Sequence, residues 1–327
     1  MHTRPVPRTG GAAIYLGWLV AVVGSTLVAD LAGLPRVQLL GLALAGTLAF
    51  GLGIVDDARG LPPRVKFVGQ IAVGVLAVIS GTTLDGGLPS WLAPFASVVW
   101  IVGLMNAMNL LDGLDGLAAG VTTLGAAGFG ALAIVQGNTS ALVLAAALLG
   151  SSLAFLRHNL HPATMFMGDG GSLFLGFQLA VLGVVLTKGQ VSPTWLFAPV
   201  LVLGVPLVDT LGAIARRLRA RRPLFFGDRR HVYDLLIVKG LSHSAAVRAT
   251  WVASGIGGFA AFVLVRQSWG VASLVILAMA GIAALAGAVV LGLFSPDGEV
   301  SSGPGSRGFT GEESLWTKLG GHDVERA

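Results

Sequence analysis

The feature that most constrains this chain is a series of ten apolar stretches, each about as long as a membrane crossing. A crossing needs roughly 20 mostly apolar residues, because the hydrocarbon core of a bilayer is about 30 Å thick. Short polar links separate the stretches, except for the link 215–247 between the eighth and the ninth. The sequence therefore predicts an all-α, polytopic integral membrane protein with about ten transmembrane helices. The predicted spans are residues 11–29, 37–55, 66–82, 91–106, 116–135, 139–156, 171–187, 194–214, 248–265 and 270–293.

Composition supports a membrane protein and excludes several other classes. The chain is 54% hydrophobic and only 11% charged, whereas soluble domains carry about 25% charged residues. It has no cysteine, so neither a disulfide nor a thiolate nucleophile is available. The net charge of +5 does not predict a nucleic-acid partner, because in a polytopic protein the distribution of charge matters more than its sum.

The basic residues are distributed very unevenly between the two sides of this topology. Outside the C-terminal tail, fifteen fall on the side of the N-terminus, and three, Arg36, Lys188 and Arg266, fall on the other. By the positive-inside rule, the N-terminus and, after an even number of spans, the C-terminus are predicted to be cytoplasmic. We expect a membrane-embedded domain over 1–294 and a polar, disordered cytoplasmic tail over 295–327.

A polar run between the fourth and fifth spans is the strongest candidate for a functional site. It contains two carboxamides, Asn106 and Asn109, and two carboxylates, Asp112 and Asp115. Because an uncompensated polar group at membrane depth costs several kcal/mol, such a cluster indicates function. Carboxylate and amide oxygens are the ligands that Mg²⁺ takes. The alternative is a polar loop that only caps two helices.

Two shorter acidic motifs lie at the ends of other spans. Asp56 and Asp57 follow the second span, where a helix C-terminus disfavours negative charge, so a cationic partner is expected. The alternative is an ordinary acidic pair that reaches water. Asp169 lies in a glycine turn that opens the seventh span, with Ser172 available as a helix cap. Free N–H groups at a helix start suit a diphosphate or a metal–diphosphate, although Asp169 could instead only cap the helix.

The long link between the eighth and ninth spans is basic. It holds nine Lys and Arg residues between Arg216 and Arg248, and such a link is usually a positive-inside anchor or a lipid-headgroup contact. Its segment Asp228–His231 combines Arg and His, which suit an anionic substrate. All of these clusters fall on the cytoplasmic face of the predicted topology. The sequence therefore predicts one composite site at the cytoplasmic membrane boundary.

Taken together, the motifs resemble those of the polyprenyl-phosphate N-acetylhexosamine-1-phosphate transferase superfamily. That superfamily includes the phospho-MurNAc-pentapeptide transferases and the UDP-GlcNAc:undecaprenyl-phosphate GlcNAc-1-phosphate transferases. The resemblance runs from His2 to about His243. Its five ordered motifs are Pro5–Gly11, Asp56-Asp57 with Lys66-Phe67, Asn106–Gly116, Asn159–Ser172 and Asp228–His231.

The resemblance implies roles for individual residues. Asn109 and Asp169 would hold Mg²⁺, or Mn²⁺ in its place, and Asp56, Asp57 and His231 would belong to the catalytic centre. The remaining motif residues would bind substrate, with Lys66 at a phosphate and Asp115 at the uracil end. These substrate-binding residues are Lys66, Asn106, Asp112, Asp115, Asn159 and Arg230.

The resemblance also implies a reaction and its partners. The expected enzyme is a Mg-dependent transferase that moves GlcNAc-1-phosphate, or another HexNAc-1-phosphate, from a UDP-sugar to undecaprenyl phosphate or a related polyprenyl phosphate, and releases UMP. It would act in the bacterial inner membrane at the first membrane step of cell-envelope polysaccharide synthesis, with no nucleic-acid partner; a homodimer is left open. The alternatives are a phospho-MurNAc-pentapeptide transferase and a silent polyprenyl-phosphate-binding homologue.

Two features depart from the family pattern. The family usually has a span before the Pro5–Gly11 segment, which here stands at the start of the sequence. The long-link motif reads His231-Val-Tyr-Asp234, without the triple histidine of the MurNAc-pentapeptide enzymes. This favours the HexNAc branch and leaves catalysis by a single histidine, or loss of activity, open. A transporter is the rival from another class, but its acidic sites would lie near the membrane midplane rather than at one face.

Overall fold

The structure, a computed structural model, describes residues 6–28, 34–84, 87–190, 192–221, 231–267 and 270–292. In these segments the chain forms twelve helices and no strand, which confirms the all-α prediction. The predicted tail 295–327 lies outside the described residues, so its disorder and the domain boundary at 294 stay predictions. The helices are α1 Gly10–Val28, α2 Arg36–Arg59, α3 Pro63–Ile79, α4 Ala93–Leu111, α5 Leu117–Gln136, α6 Thr139–Asn159, α7 Gly168–Thr187, α8 Pro193–Val202, α9 Gly204–Arg219, α10 Val232–Val238, α11 His243–Arg266 and α12 Val271–Leu291.

Helix α7 is the centre of the bundle. Every residue from Gly170 to Thr187 is buried, and α7 packs against α1, α2, α4 and α5. A helix that is apolar on all sides has no face to present to water, so it becomes the core. Phe174 of α7 makes edge contacts with Tyr15 and Trp18 of α1, at ring-centroid distances of 5.5 Å each. The first turn of α7 is thereby fixed at one end of the bundle.

The outer helices carry a lipid-facing belt of large apolar side chains. Ile79, Trp91 and Val271 are each more than three-quarters exposed, which in water would be an aggregation liability but in a bilayer is the stable arrangement. In the described segments six helices have the length and hydropathy of a full crossing, and the pair α8–α9 would make a seventh. The chain is a multi-pass membrane protein, and the predicted count of ten full spans is not exact.

The predicted eighth span, 194–214, is wrong as a single crossing helix. The structure divides it into α8 and α9, whose axes meet at 76°. Pro206 explains the break, because it lacks the N–H that would bond to the Val202 carbonyl and its ring clashes with that carbonyl. After the bend, α9 runs on to Arg219 and carries Asp209 into the bundle, where its side chain is buried.

The long link contains a short helix that periodicity does not predict. Helix α10 has only seven residues, and its first turn is held by a capping box in which the Asp234 carboxylate accepts the His231 backbone N–H at 3.1 Å. Part of the preceding segment, 222–230, lies outside the described residues. The described part of the link therefore returns to the bundle at His231.

Candidate active site at the end of an apolar groove

A tight turn between α2 and α3 brings the first two candidate residues together. Gly60 ends α2 in the left-handed conformation, with φ of 63°, and its N–H bonds to the Asp56 carbonyl. Pro63 then starts α3 at a position where no N–H is needed. As a result the Lys66 ammonium lies 2.7 Å from an Asp56 carboxylate oxygen. This is the cationic partner that the Asp56-Asp57 motif requires.

Two further helices complete a lysine–carboxylate cluster made of Asp56, Lys66, Asn109 and Asp169. The Asn109 carbonyl oxygen, at the end of α4, accepts a hydrogen bond from Lys66 at 3.1 Å. The Asn109 amide donates to Asp169, in the first turn of α7, at 3.0 Å. Lys66 also forms a short ion pair with Asp169. These contacts confirm that motifs from four separate helices meet at one end of the bundle.

Asp57 joins the cluster from the other side of α2. Its carboxylate accepts the Gly170 N–H at 3.1 Å, and Arg8 lies 4.0 Å from its second oxygen. This approach depends on Gly53, because a Cβ there would lie 2.3 Å from the Asp169 backbone. The residue before α7, Met167, makes no side-chain cap bond, and the Asp57 carboxylate caps the first turn instead, so the expectation of a Ser172 or Asp169 cap is wrong. Ser172 instead accepts the Asn109 amide at 2.9 Å.

An apolar groove of about 1260 Å³ leads to this cluster. Helices α3 and α4 form its apolar walls, and Ile214 of α9 closes one side. Asn106 lies in the wall, where its amide donates to Gln70 of α3 at 2.7 Å. The predicted site residues that line the groove are Asp56, Lys66, Asn106, Asn109, Asp112 and His231.

Asp112 lies where α4 ends and the groove opens. Part of its side chain faces the groove, but protein atoms surround the carboxyl group. This desolvation, together with the negative charges of Asp169, Asp57 and Asp115, raises the pKa of Asp112 well above its ordinary value of 3.8. Folding therefore favours the protonated form of Asp112 more than the unfolded chain does.

Asp112→Asn is expected to stabilise the metal-free protein at alkaline pH. A carboxyl group whose pKa rises on folding costs stability as the pH rises above its unfolded pKa of 3.8. In buffer with chelator we expect the variant to raise the midpoint of thermal unfolding by at least about 2 °C at pH 8. The difference should shrink as the pH is lowered towards 4. A variant that is no more stable than the wild type at pH 8 would contradict this account.

Asp115 and Asn159 do not line the groove. One Asp115 oxygen accepts the Ala163 N–H at 3.1 Å and lies 2.8 Å from the His161 Nδ1. The Asn159 side chain accepts the Gly116 N–H and donates to the Met165 carbonyl, each at 3.0 Å. Asn159 therefore clamps the loop after α4 to the loop before α7, and the substrate-binding roles of both residues stay predictions.

His231 reaches the groove from the long link. Its imidazole stacks on Tyr233 at a ring-centroid distance of 5.5 Å. Tyr233 in turn packs on Gly113, where a Cβ would lie 2.0 Å from the phenol oxygen. Arg230, the other residue predicted in this segment, lies outside the described residues.

Sequence reasoning missed several residues of the groove. Gln70 holds Asn106, Tyr233 supports His231, and Arg217 of α9 is buried in the groove wall. Asp209 was visible as an acidic residue near a span end, but its partner is far away along the chain. The available signals were this acidic residue and the arginines at the end of the same apolar stretch, because charged residues in membrane segments usually have a function.

The oxygen atoms around Lys66 suit a divalent cation. Asp56, Asp169 and Asn109 each direct one side-chain oxygen at the same ammonium group. Two carboxylates and one amide carbonyl are hard ligands of the kind that Mg²⁺ takes together with substrate phosphates. The residues present therefore fit the metal that the motifs predict, and its binding remains to be tested.

Fold and site together define a class of protein. They describe a multi-pass membrane protein whose apolar groove ends at a polar cluster of lysine, carboxylate and amide groups, an arrangement suited to an amphiphilic substrate with an anionic head. The sequence profile of glycosyl transferase family 4 matches residues 39–187. With the relatives below, this match shows that the chain belongs to glycosyl transferase family 4.

Three relatives illustrate the range of the family. The chain is 33% identical over 273 residues to a probable undecaprenyl-phosphate N-acetylglucosaminyl 1-phosphate transferase of Bacillus subtilis, covering 81% of this chain and 75% of the relative. It is 33% identical to a decaprenyl-phosphate N-acetylglucosaminephosphotransferase of Mycobacterium tuberculosis, with coverage of 80% and 72%. It is also 32% identical to a phospho-N-acetylmuramoyl-pentapeptide-transferase of Desulforamulus reducens, with coverage of 82% and 85%.

Proposed function

We propose that this protein transfers a HexNAc-1-phosphate, with GlcNAc-1-phosphate as the preferred group, from a UDP-sugar to a polyprenyl phosphate and releases UMP. The observation that carries the proposal is the apolar groove that ends at the lysine–carboxylate cluster. A polyprenyl phosphate has the same two parts, a long apolar chain and an anionic head. The names of the relatives support both this acceptor and this transferred group.

The apolar part and the polar end of the groove suit different parts of the two substrates. Val75, Val98 and Val102 line its apolar part, which offers a prenyl chain the same apolar surroundings that it has in the bilayer. Lys66 lies at the polar end, where its ammonium is 2.7 Å from the Asp56 carboxylate. The soluble nucleotide sugar would reach the same cluster from the aqueous side, so the reacting phosphates meet at the membrane boundary.

The proposed reaction is a substitution at the β-phosphorus of the UDP-sugar. An oxygen of the acceptor phosphate forms a bond to the β-phosphorus, and the bond from that phosphorus to the bridging oxygen breaks. UMP leaves with the bridging oxygen, and the product is a lipid diphosphate-linked sugar. The acceptor phosphate has a second pKa near 6, so at pH 7 it is largely ionised and needs no strong base.

Positioning and electrostatics should therefore supply most of the rate. Lys66 would bind a phosphate, and Asp56 and Asp57 would orient the reacting groups and, in the case of Asp56, accept any remaining proton. His231 would contact the phosphates from the long link. Mg²⁺ held by Asn109 and Asp169 would neutralise negative charge on the diphosphate when bound.

We also propose an orientation for the site. Fifteen basic residues on one side against three on the other favour a cytoplasmic site and cytoplasmic termini. Bacterial relatives such as that of B. subtilis support the bacterial cytoplasmic membrane as the proposed location. UDP-sugars are cytosolic in such an arrangement, so donor and site would share one compartment.

A panel of radiolabelled UDP-sugars, offered to the purified protein with undecaprenyl phosphate, tests the function. We expect lipid-linked product with UDP-GlcNAc, and none in an Asp169→Ala variant. Product with a different UDP-HexNAc alone would support the proposed reaction but show that the transferred sugar is not GlcNAc. Exclusive use of UDP-MurNAc-pentapeptide would overturn the assignment to the HexNAc branch, and no product with any donor would favour a silent lipid-phosphate-binding protein.

Gly103→Phe tests the groove as the acceptor site. Gly103 lines the groove, and a Cβ at this position would meet no atom within 4 Å, so the new ring extends into the groove instead of the helix bundle. We expect the KM for undecaprenyl phosphate to rise at least about tenfold, the effect of losing about 1.4 kcal/mol of binding, with the KM for the UDP-sugar unchanged.

Gly255→Phe is the matched control for this experiment. Gly255 also lies inside a helix with open space around its Cβ, but outside the groove. Its variant should keep both KM values within about twofold. Equal effects of the two variants, or an unchanged acceptor KM in Gly103→Phe, would contradict binding of the prenyl chain in this groove.

A further inference from the structure

A buried carboxylate and the histidine of the long link form a dyad in the groove wall. One oxygen of Asp209, on α9, lies 2.6 Å from the His231 Nδ1, and the other accepts the Val232 N–H, also at 2.6 Å. The two side chains are 1% and 5% exposed. A carboxylate removed from water in this way is costly unless it is paired, so its only two described contacts deserve a functional explanation.

We propose that Asp209 is a positioning residue that fixes the tautomer and the orientation of His231 for the transfer reaction. This inference rests on the proposed function for its catalytic part. As a carboxylate Asp209 only accepts hydrogen bonds, so in the proposed arrangement Nδ1, 2.6 Å away, is the donor. Asp209 would thereby set which of the two ring nitrogens of His231 carries the proton.

The backbone around the dyad explains why one carboxylate can hold the whole unit. The second Asp209 oxygen anchors Val232, the first residue of α10, and the Asp234 carboxylate accepts the His231 N–H. Tyr233 stacks on the ring with an interplanar angle of 13°. The imidazole is thus fixed in position by its main chain and in rotation by Asp209, and it lines the groove beside the lysine–carboxylate cluster.

The bend between α8 and α9 brings Asp209 into contact with His231. It turns α9 by 76° relative to α8, and Asp209 then faces the link that returns at residue 231. The long link reads His-Val-Tyr-Asp at 231–234, so the dyad belongs to the histidine of that motif. Of the two histidines in the described part of the link, His231 lines the groove and His243 does not.

A double-mutant cycle tests whether Asp209 acts through His231. Asp209→Asn keeps the shape and can still accept the Val232 N–H, but its amide turns an N–H towards Nδ1 and selects the other tautomer. We expect kcat to fall about 10- to 100-fold, the range for losing a group that orients a functional histidine, with both KM values within about threefold. In a His231→Gln background the same substitution should cost less than about twofold.

Two further variants make the cycle specific. Asp209→Glu keeps the carboxylate and should recover part of the kcat lost in Asp209→Asn. Asn138→Asp makes a small change at a helix cap away from the groove and should leave kcat within about threefold. Equal losses from Asp209→Asn in both backgrounds, or a loss confined to KM, would overturn the positioning role. If Asp209→Asn does not fold, Asp209→Glu is run through the same cycle and judged by the same criterion.

A readout without turnover separates this inference from the proposed function. Nitrogen-15 NMR of protein with ring-labelled histidine, assigned by the signals lost in His231→Gln, reports which nitrogen carries the proton. We expect a protonated Nδ1 in the wild type and an unprotonated Nδ1 in Asp209→Asn. An unprotonated Nδ1 in the wild type would overturn the dyad even if transfer is observed, whereas absence of transfer with the expected NMR result would overturn only the proposed function.

Discussion

Asp169→Asn is expected to lower turnover by about 10²- to 10³-fold, the scale of losing one preorganised electrostatic contact, while the protein keeps its fold. Asp169 accepts Asn109 at 3.0 Å and pairs with Lys66, so its charge holds the cluster together. An amide of the same shape retains the packing of the first turn of α7 but loses the negative charge. Asn109→Ala, which removes the other predicted metal ligand, should cost at least about 10²-fold for the same reason.

Steady-state turnover and thermal unfolding of each variant check this prediction. Asn138→Asp is the matched control, because it makes an equally small change at a helix cap that bonds to Ala141, away from the cluster. It should keep turnover within about twofold. Near-normal activity with Mg²⁺ in Asp169→Asn or in Asn109→Ala would remove that residue from the proposed metal site.

Removal of divalent cations is expected to abolish transfer to background, a loss of at least about 10³-fold, since the whole metal contribution to charge stabilisation disappears. The oxygens of Asp56, Asp169 and Asn109 that surround Lys66 are the basis for this expectation. Treatment with EDTA followed by dialysis and addition of Mg²⁺, Mn²⁺ or Ca²⁺ is the measurement. Mg²⁺ should restore full activity and Mn²⁺ a substantial part, because both favour octahedral oxygen ligands.

The experiment includes an internal check on the protein itself. Thermal unfolding in EDTA should still show a folded protein, since Lys66 already compensates Asp56 and Asp169 in the described structure. Undiminished transfer after exhaustive chelation would contradict the metal-dependent mechanism. Recovery of activity with Ca²⁺ as good as that with Mg²⁺ would contradict a site that selects a small, octahedral cation.

Sequence alone predicted most of the helix positions and the location of the site. Apolar runs as long as that of α7 or α4 can satisfy their backbone polar groups in a bilayer only as helices, so their existence follows from length and hydropathy. Assigning the span ends to the two faces of the membrane predicted that Asp56, Asn109 and Asp169 lie close together. Their contacts confirm this.

The rest depends on geometry that one-dimensional patterns do not carry. The break at Pro206 could have been suspected, but its angle of 76° depends on how α8 and α9 pack on their neighbours. Helix α10 is too short to show a period, and its start depends on a capping contact with Asp234. The pairing of Asp209 with His231 joins residues that are 22 positions apart across a link, which no local propensity predicts.

Motif membership also says less than contact geometry about individual roles. Asn159 belongs to a motif that predicts substrate binding, yet both ends of its amide bond to the main chain, at Gly116 and Met165. Gln70 belongs to none of the motifs, yet it holds Asn106 in the groove wall. Side chains that position a site and side chains that touch a substrate are both polar residues at span ends, so the sequence cannot separate them.

The most direct test of the central claim follows the two phosphorus atoms of the donor. UDP-GlcNAc labelled with ³²P at either the α or the β position is incubated with the purified protein and undecaprenyl phosphate in liposomes, and lipid and aqueous products are separated. The account predicts that the β label enters the lipid and the α label is released as UMP. Release of both labels as UDP, with only the sugar in the lipid, would contradict sugar-1-phosphate transfer.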